Sequence, residues 1–137
     1  MKRHILTAAS AAALIICCGA GDRASAQTTD IKTIVSVNGP PVVLNQNSQL
    51  NAAGVFMVGG STSAAIVQQG TNNFTGILQF GGATSTSVNQ SGVNNFTFVG
   101  QSGQSASSTI SQIGNMNSSI LAQFGGTNTS NVNQTSP

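Results

Sequence analysis

A glutamine returns at every eleventh position through the second half of the chain: Gln68, Gln79, Gln90, Gln101, Gln112, Gln123 and Gln134. Two positions before each stands an aliphatic residue: Ile66, Ile77, Val88, Val99, Ile110, Leu121 and Val132. Two positions after the first six stands a glycine: Gly70, Gly81, Gly92, Gly103, Gly114 and Gly125. Leu44 and Val55 carry the aliphatic phase upstream, making nine successive hits. Such self-similarity marks a repeat architecture, in which each unit buries its apolar face only against its neighbours.

A period of eleven suits either three α-helical turns of a right-handed supercoil or half a coil of a β-solenoid. Helix is disfavoured by a Gly in every unit and by the load of Ser, Thr, Asn and Val. Inside a unit the alternation is two-fold. The sets Ala64, Ile66, Gln68; Thr75, Ile77, Gln79; Thr86, Val88, Gln90; and Ser108, Ile110, Gln112 each place small, aliphatic and amide residues on one strand face. The Gly after each Gln, and then Asn or a small residue (Asn73, Thr84, Asn95, Ala106, Asn117, Asn128), suit a tight reversal. Gly accepts positive φ, and Asn bonds its own backbone.

The full rung is twice that period, because Asn73, Asn95 and Asn117 follow alternate glutamines and Phe74 recurs as Phe96 one double period on. The expected fold is all-β: a β-solenoid, or β-arcade, with two strands per rung folded face to face. Successive rungs would stack about 4.7–4.8 Å apart. Stacking aligns Gln68, Gln90, Gln112 and Gln134 in one ladder, and Gln79, Gln101 and Gln123 in another. Asn73, Asn95 and Asn117 align likewise. An unpaired buried amide costs roughly 1–3 kcal/mol, and a one-residue slip would turn every Gln outward, so the spacing must be strict.

Composition bears on function and on export. Asn, Gln, Ser and Thr fill half of residues 27–137 (26 Asn or Gln and 29 Ser or Thr), which without the periodicity would suggest a prion-like tract. The same stretch holds only Asp30 and Lys32 as charges and has no His, Cys or Glu. It lacks the side chains of proton transfer, nucleophilic attack and metal binding, and it lacks a basic patch for nucleic acid. No enzyme activity, cofactor, metal or nucleic-acid partner is expected. The front reads as an export signal over residues 1–26: basic Lys2, Arg3 and His4, an apolar run from Ile5 to Ala20, then Ala24, Ser25 and Ala26. Cleavage is expected between Ala26 and Gln27. The run is shorter than the roughly 20 residues of a membrane anchor, and bulky Ile16 before Cys17 argues against a lipoprotein site. Residues 27–41 then form a segment ending in Pro40 and Pro41. Residues 42–61 read as a degenerate repeat, followed by repeats 62–83, 84–105, 106–127 and a partial 128–137.

The repeat closely resembles that of curlins, the subunits of the functional amyloid fibres called curli, with the pattern Ser-x5-Gln-x-Gly-x2-Asn-x-Ala-x3-Gln. Its positions fall on Thr62, Gln68, Gly70, Asn73, Thr75 and Gln79, and then on Thr84, Gln90, Gly92, Asn95, Thr97 and Gln101. A third copy is Ala106, Gln112, Gly114, Asn117, Ser119 and Gln123, and a partial fourth has Asn128, Gln134 and Ser136 in place of Gly. The chain departs from the pattern in lacking the first Ser and in carrying hydroxyl residues where the family has Ala. The resemblance implies secretion through an outer-membrane pore, nucleated polymerisation at the cell surface and a place in the biofilm matrix. It also implies that residues 27–41 direct the chain to its pore. Absence of a basic terminal repeat favours a major over a minor, nucleating subunit.

Residues 42–136 contain neither charge nor proline, the devices that usually block a sheet edge, so head-to-tail growth into cross-β fibres is expected. The competing class is a monomeric β-solenoid adhesin or ice-binding protein. Ice binding needs a flat outward rank of Thr, and here Thr62, Thr84, Ala106 and Asn128 keep the period but fall on the inward set. Asn73-Phe74-Thr75, Asn95-Phe96-Thr97 and Asn117-Ser118-Ser119 fit glycosylation acceptors, but they arise automatically from the repeat. Phe74, Phe80, Phe96 and Phe124 form either an adhesive or lateral-association stripe or a cover over an interior corner.

Overall fold

A computed structural model describes residues 13–18, 23–26, 31–37, 42–47 and 50–137 of the chain. Lys2, Arg3, His4, Gln27, Asp30, Pro40 and Pro41 lie outside these residues. The described chain forms eight strands: β1 (Ala13–Cys18), β2 (Arg23–Ala26), β3 (Ile31–Val37), β4 (Val42–Asn47), β5 (Ala52–Thr71), β6 (Phe74–Val93), β7 (Phe96–Asn115) and β8 (Ser118–Thr135). All pair in parallel, and the sheet winds into a β-solenoid. Each of β5 to β8 is one coil, running along one wall, bending at a glycine corner and returning along the facing wall. Parallel neighbours need a connection of a dozen or more residues, and the return arm of each coil supplies it.

The register follows the sequence period. Val55 lies opposite Ile77, Gln68 opposite Gln90 and Ile77 opposite Val99, each one full repeat on, and β7 meets β8 at the same offset. Strand β4 shares it, with Val42 opposite Ala64 and Gln46 opposite Gln68. Strand β3 meets β5 one position short of the repeat, with Ile34 opposite Val55. Together β3 and β4 make one further coil, which reaches into the segment 27–41. Outside it, β1 and β2 pair at shorter offsets still (Ala13 with Lys32, Ala24 with Leu44), so these two strands do not follow the repeat.

The core is a pair of aliphatic rows facing each other across the coil. Ile34, Val55, Ile77 and Val99 form one; Leu44, Ile66, Val88 and Ile110 form the other, and all are at most 2 % exposed. Burying each such side chain contributes about 1.5–3 kcal/mol. Leu121 and Val132 continue the rows into β8 but are only partly buried, because β8 is bonded to β7 alone.

The two corners differ. At Gly59, Gly81, Gly103 and Gly125 the strand runs through the bend without a break. The opposite corner interrupts it, with one residue in the left-handed region: Asn72 (φ 57°), Asn94 (φ 60°) and Met116 (φ 58°). The sequence pointed to Asn73, Asn95 and Asn117 as the reversing residues; the positive φ falls one residue earlier. Just before this corner Gly70 is needed twice over. Its φ is +100°, and a Cβ added there would run into the carbonyl oxygen of Gly92 in the next coil.

Asn tolerates the left-handed region through local hydrogen bonds, whereas an ordinary side chain costs roughly 1–2 kcal/mol there. Met116→Asn is therefore expected to stabilise the coil by about 1 kcal/mol. The check is the guanidinium midpoint, which should rise; a fall would refute this account of the corner.

Candidate functional site: stacked amide ladders

Three columns of carboxamides run through the interior. On the return wall Gln46, Gln68, Gln90, Gln112 and Gln134 stack, each donating from Nε2 to Oε1 of the next at 2.9, 2.7, 2.8 and 2.7 Å. On the first wall Gln79 donates to Gln101 at 2.8 Å and Gln101 to Gln123 at 2.7 Å. Every bond points from the lower-numbered coil to the higher. The ladders therefore have a direction, with spare acceptors at one end and spare donors at the other.

The second Nε2 hydrogen is satisfied from across the coil. Gln90 donates to the Phe74 carbonyl at 3.1 Å and to Thr97 Oγ1 at 3.1 Å, and Thr97 in turn donates to Gln112 Oε1 at 2.8 Å. Thr75 bridges Gln68 and Gln90 in the same way, and Thr86 bridges Gln79 and Gln101. Thr75 and Thr97 stand where the curlin pattern has Ala, and the sequence reading assigned all three threonines only to inner packing. Their hydroxyls instead belong to the polar network. The signal was present in the sequence as Thr at the fourth position before Gln79, Gln90 and Gln101, but a hydroxyl there also reads as a small strand residue.

The third column lies at the interrupted corner. Asn73 Nδ2 donates to the carbonyls of Gln69 (2.9 Å) and Gly92 (3.2 Å), while its Oδ1 accepts the backbone N–H of Asn95 at 3.1 Å. Asn95 repeats this toward Gly114 and Asn117. Asn51, which the sequence reading did not single out, opens the column by accepting the N–H of Asn73 at 3.0 Å. Asn73 and Asn95 are 1 % exposed and Asn117 is 9 %, so their amides are committed inside and closed to glycan transfer.

Among the described residues, four buried side-chain atoms lack partners: Gln46 Oε1, Gln79 Oε1, Thr62 Oγ1 and Thr84 Oγ1. The first two follow from ladder direction. Ala26 pairs with Gln46 and Met57 with Gln79, and neither residue type has a side-chain donor. Thr62 and Thr84 occupy the inner position that Asn128 fills in β8, where Asn128 Nδ2 reaches the Phe124 carbonyl at 3.1 Å. A threonine hydroxyl is too short for that bond. Of the expected cleavage pair, Ala26 ends β2 and Gln27 lies outside the described residues.

These features define a class: a parallel β-solenoid whose interior is zipped by identical amides one repeat apart. The family model of the curlin associated repeat matches residues 85–114, a stretch that contains Gln90, Gln101, Gln112, Gly92, Gly114 and Asn95. No curated protein and no solved structure matches the chain. Over residues 85–114 the chain thus carries a curlin associated repeat.

Two neighbouring threonines separate the ladder from its surroundings. Thr86→Val should cost about 1–3 kcal/mol, because it leaves the second Gln79 Nε2 hydrogen without an acceptor and takes one of two donors from Gln101 Oε1. Thr84→Val deletes a hydroxyl that has no partner and should be neutral or stabilising. Chemical denaturation of the two variants tests this, and equal losses would show that the hydroxyls carry no network role.

Proposed function

We propose that the chain is a secreted structural subunit of curli-type extracellular fibres, elongating by head-to-tail stacking of coils. The observation that carries this reading is the open, directional ladder. Strand β8 is bonded only to β7, and Gln134 stands four repeats beyond Gln46 in the same column. A second copy laid on β8 with its β3–β4 coil would continue the return-wall column. It would bring Gln134 Nε2 to the Oε1 of Gln46, which has no donor among the described residues. Cleavage after Ala26 would remove β1 and β2, the strands that cover β3 and β4, and so open the edge that the junction needs.

The junction is unequal on its two walls. The return wall carries an amide in every coil, whereas the first wall places Ser36 and Met57 between one copy's Gln123 and the next copy's Gln79. One Gln ladder thus threads the whole fibre and the other breaks at each junction. Exposed sheet edges invite strand addition unless charge or proline blocks them, and residues 42–136 have neither. The curlin repeat and the solenoid also suggest a non-enzymatic protein. The family resemblance supports a secretion pore and a nucleating subunit as partners, and a major-subunit role in the biofilm matrix and in adhesion.

Purified protein should polymerise after a lag and give reflections at about 4.7–4.8 Å and 10 Å. A monomeric adhesin or ice-binding solenoid would show no growth. Gln46→Leu should slow elongation severely while Gln69→Leu, on the exposed face, elongates normally; equal rates would refute the ladder junction. Residues 33–137 carry no ionisable side chain, so folded and unfolded coils bind equal numbers of protons. Resistance of the fibres to guanidine thiocyanate should accordingly be flat from about pH 4 to pH 9. A sloping profile would point to a contribution from outside the coils.

A further inference from the structure

All six phenylalanines of the chain stand on the outer face of the first wall: Phe56, Phe74, Phe80, Phe96, Phe98 and Phe124. Phe74 and Phe96 stack at 5.2 Å, and Phe56 meets Phe80 at 5.6 Å. The return wall shows the opposite character. Ser63, Ser85, Ser107 and Thr129 align there in one outward rank, with Ser63 donating to Ser85 at 3.2 Å.

On the aromatic face, large and small residues are paired within each coil. Gly54 stands two positions from Phe56, Gly76 from Leu78, Phe98 from Gly100 and Ile120 from Ala122. Phe98 leans over Gly76, so that a Cβ added there would lie 2.9 Å from its ring, whereas nothing lies within 4 Å of the equivalent point at Gly54. A hollow of about 270 Å³ therefore stays open over Gly54, walled by Val35, Phe56, Leu78 and Phe98. At the far end of the same face Ile120 and Phe124 protrude, each 74 % exposed.

Resting on the fibre reading above, we propose that this face is covered by the same face of a second copy, so that the mature fibre is a pair of filaments. A two-fold axis parallel to the fibre, over the row Val55, Ile77, Val99 and Leu121, puts the large residue beside the axis in each coil opposite the small one. Phe56 of the second copy enters the hollow at Gly54, Leu78 meets the Phe98 ring that leans over Gly76, Phe98 faces Gly100 and Ile120 faces Ala122. The same operation sets Phe80 against Phe74 and Phe124 against Ser118. The interface is isologous and involves no charge.

Area decides when pairing occurs. Five coils at about 4.8 Å and seven residues at about 3.3 Å give a face of roughly 550 Å² per copy. A stable interface takes about 800 Å² from each partner. Single chains therefore remain unpaired, and two or more stacked copies exceed the requirement. Lateral pairing follows elongation.

The test is mass per length by scanning transmission electron microscopy. Wild-type fibres should contain two chains per about 24 Å of axis. Phe56→Ser combined with Phe98→Ser should keep the cross-β reflections and fall two-fold, to one chain. Ser85→Arg combined with Ser107→Arg, on the return wall, should keep two. One chain per repeat in wild-type fibres, an undiminished mass in the Phe variant, or halving in the Arg variant would each overturn the pairing and leave the fibre reading standing. Absence of wild-type fibres would instead overturn the fibre reading itself.

Discussion

A carboxamide buried in an apolar interior must find both a donor and acceptors, and in this chain the partner supplied is its own copy one coil away. That single requirement governs the rest of the structure. Gln68, Gln90 and Gln112 satisfy each other only if successive coils are parallel, in register and of equal length. A slip of one residue would strand every amide and also turn the aliphatic rows outward. Hydrogen bonding and hydrophobic burial therefore select the same register. Ile66, Val88 and Ile110 stack two positions from the glutamines for the same reason.

The same ladder accounts for the shape of the composition. Identical residues stack directly on each other, so an ionised side chain would meet its copy about 4.8 Å away; neutral amides and hydroxyls make that contact favourable. Glycine at 70 and 92 follows from the close approach of stacked backbones as much as from turning. The threonines at 75, 86 and 97 take the amide hydrogen that the ladder leaves free, and so tie the two walls together. What resembles a low-complexity tract is a network in which most buried polar atoms have partners.

Direction is the second consequence. Every bond from one glutamine to the next points toward higher residue numbers, so each Gln ladder has a donor end and an acceptor end, and on the return wall the two are complementary by four periods of the repeat. The walls then diverge in role. The interior is common to both, while the outer surface is aromatic on one wall and hydroxylated on the other. A fibre built from such coils would have a sticky side and a hydrated side along its whole length.

Much of this was legible in the residue order, because a solenoid converts linear spacing directly into neighbourhood. The recurrence of Gln, Gly and aliphatics at every eleventh position implied two strands per coil, the doubled offset between coils, the stacked ladders and the inward set that includes Thr62 and Thr84. Other features depended on three-dimensional placement. The reversing residue is Asn72 rather than Asn73, since which of two adjacent asparagines takes positive φ depends on the bonds the other makes to the neighbouring coils. Thr75, Thr86 and Thr97 joined the amide network only because the facing wall brings each within reach of a Gln on the other arm. The coil formed by β3 and β4 lies where the repeat has decayed, so pairing rather than pattern defines it. The aromatic face is divided between the two: the residue order offered Phe74, Phe80, Phe96 and Phe124 as a stripe or as a corner cover, and only the folding of each coil into two walls places them, with Phe56 and Phe98, on one outer side.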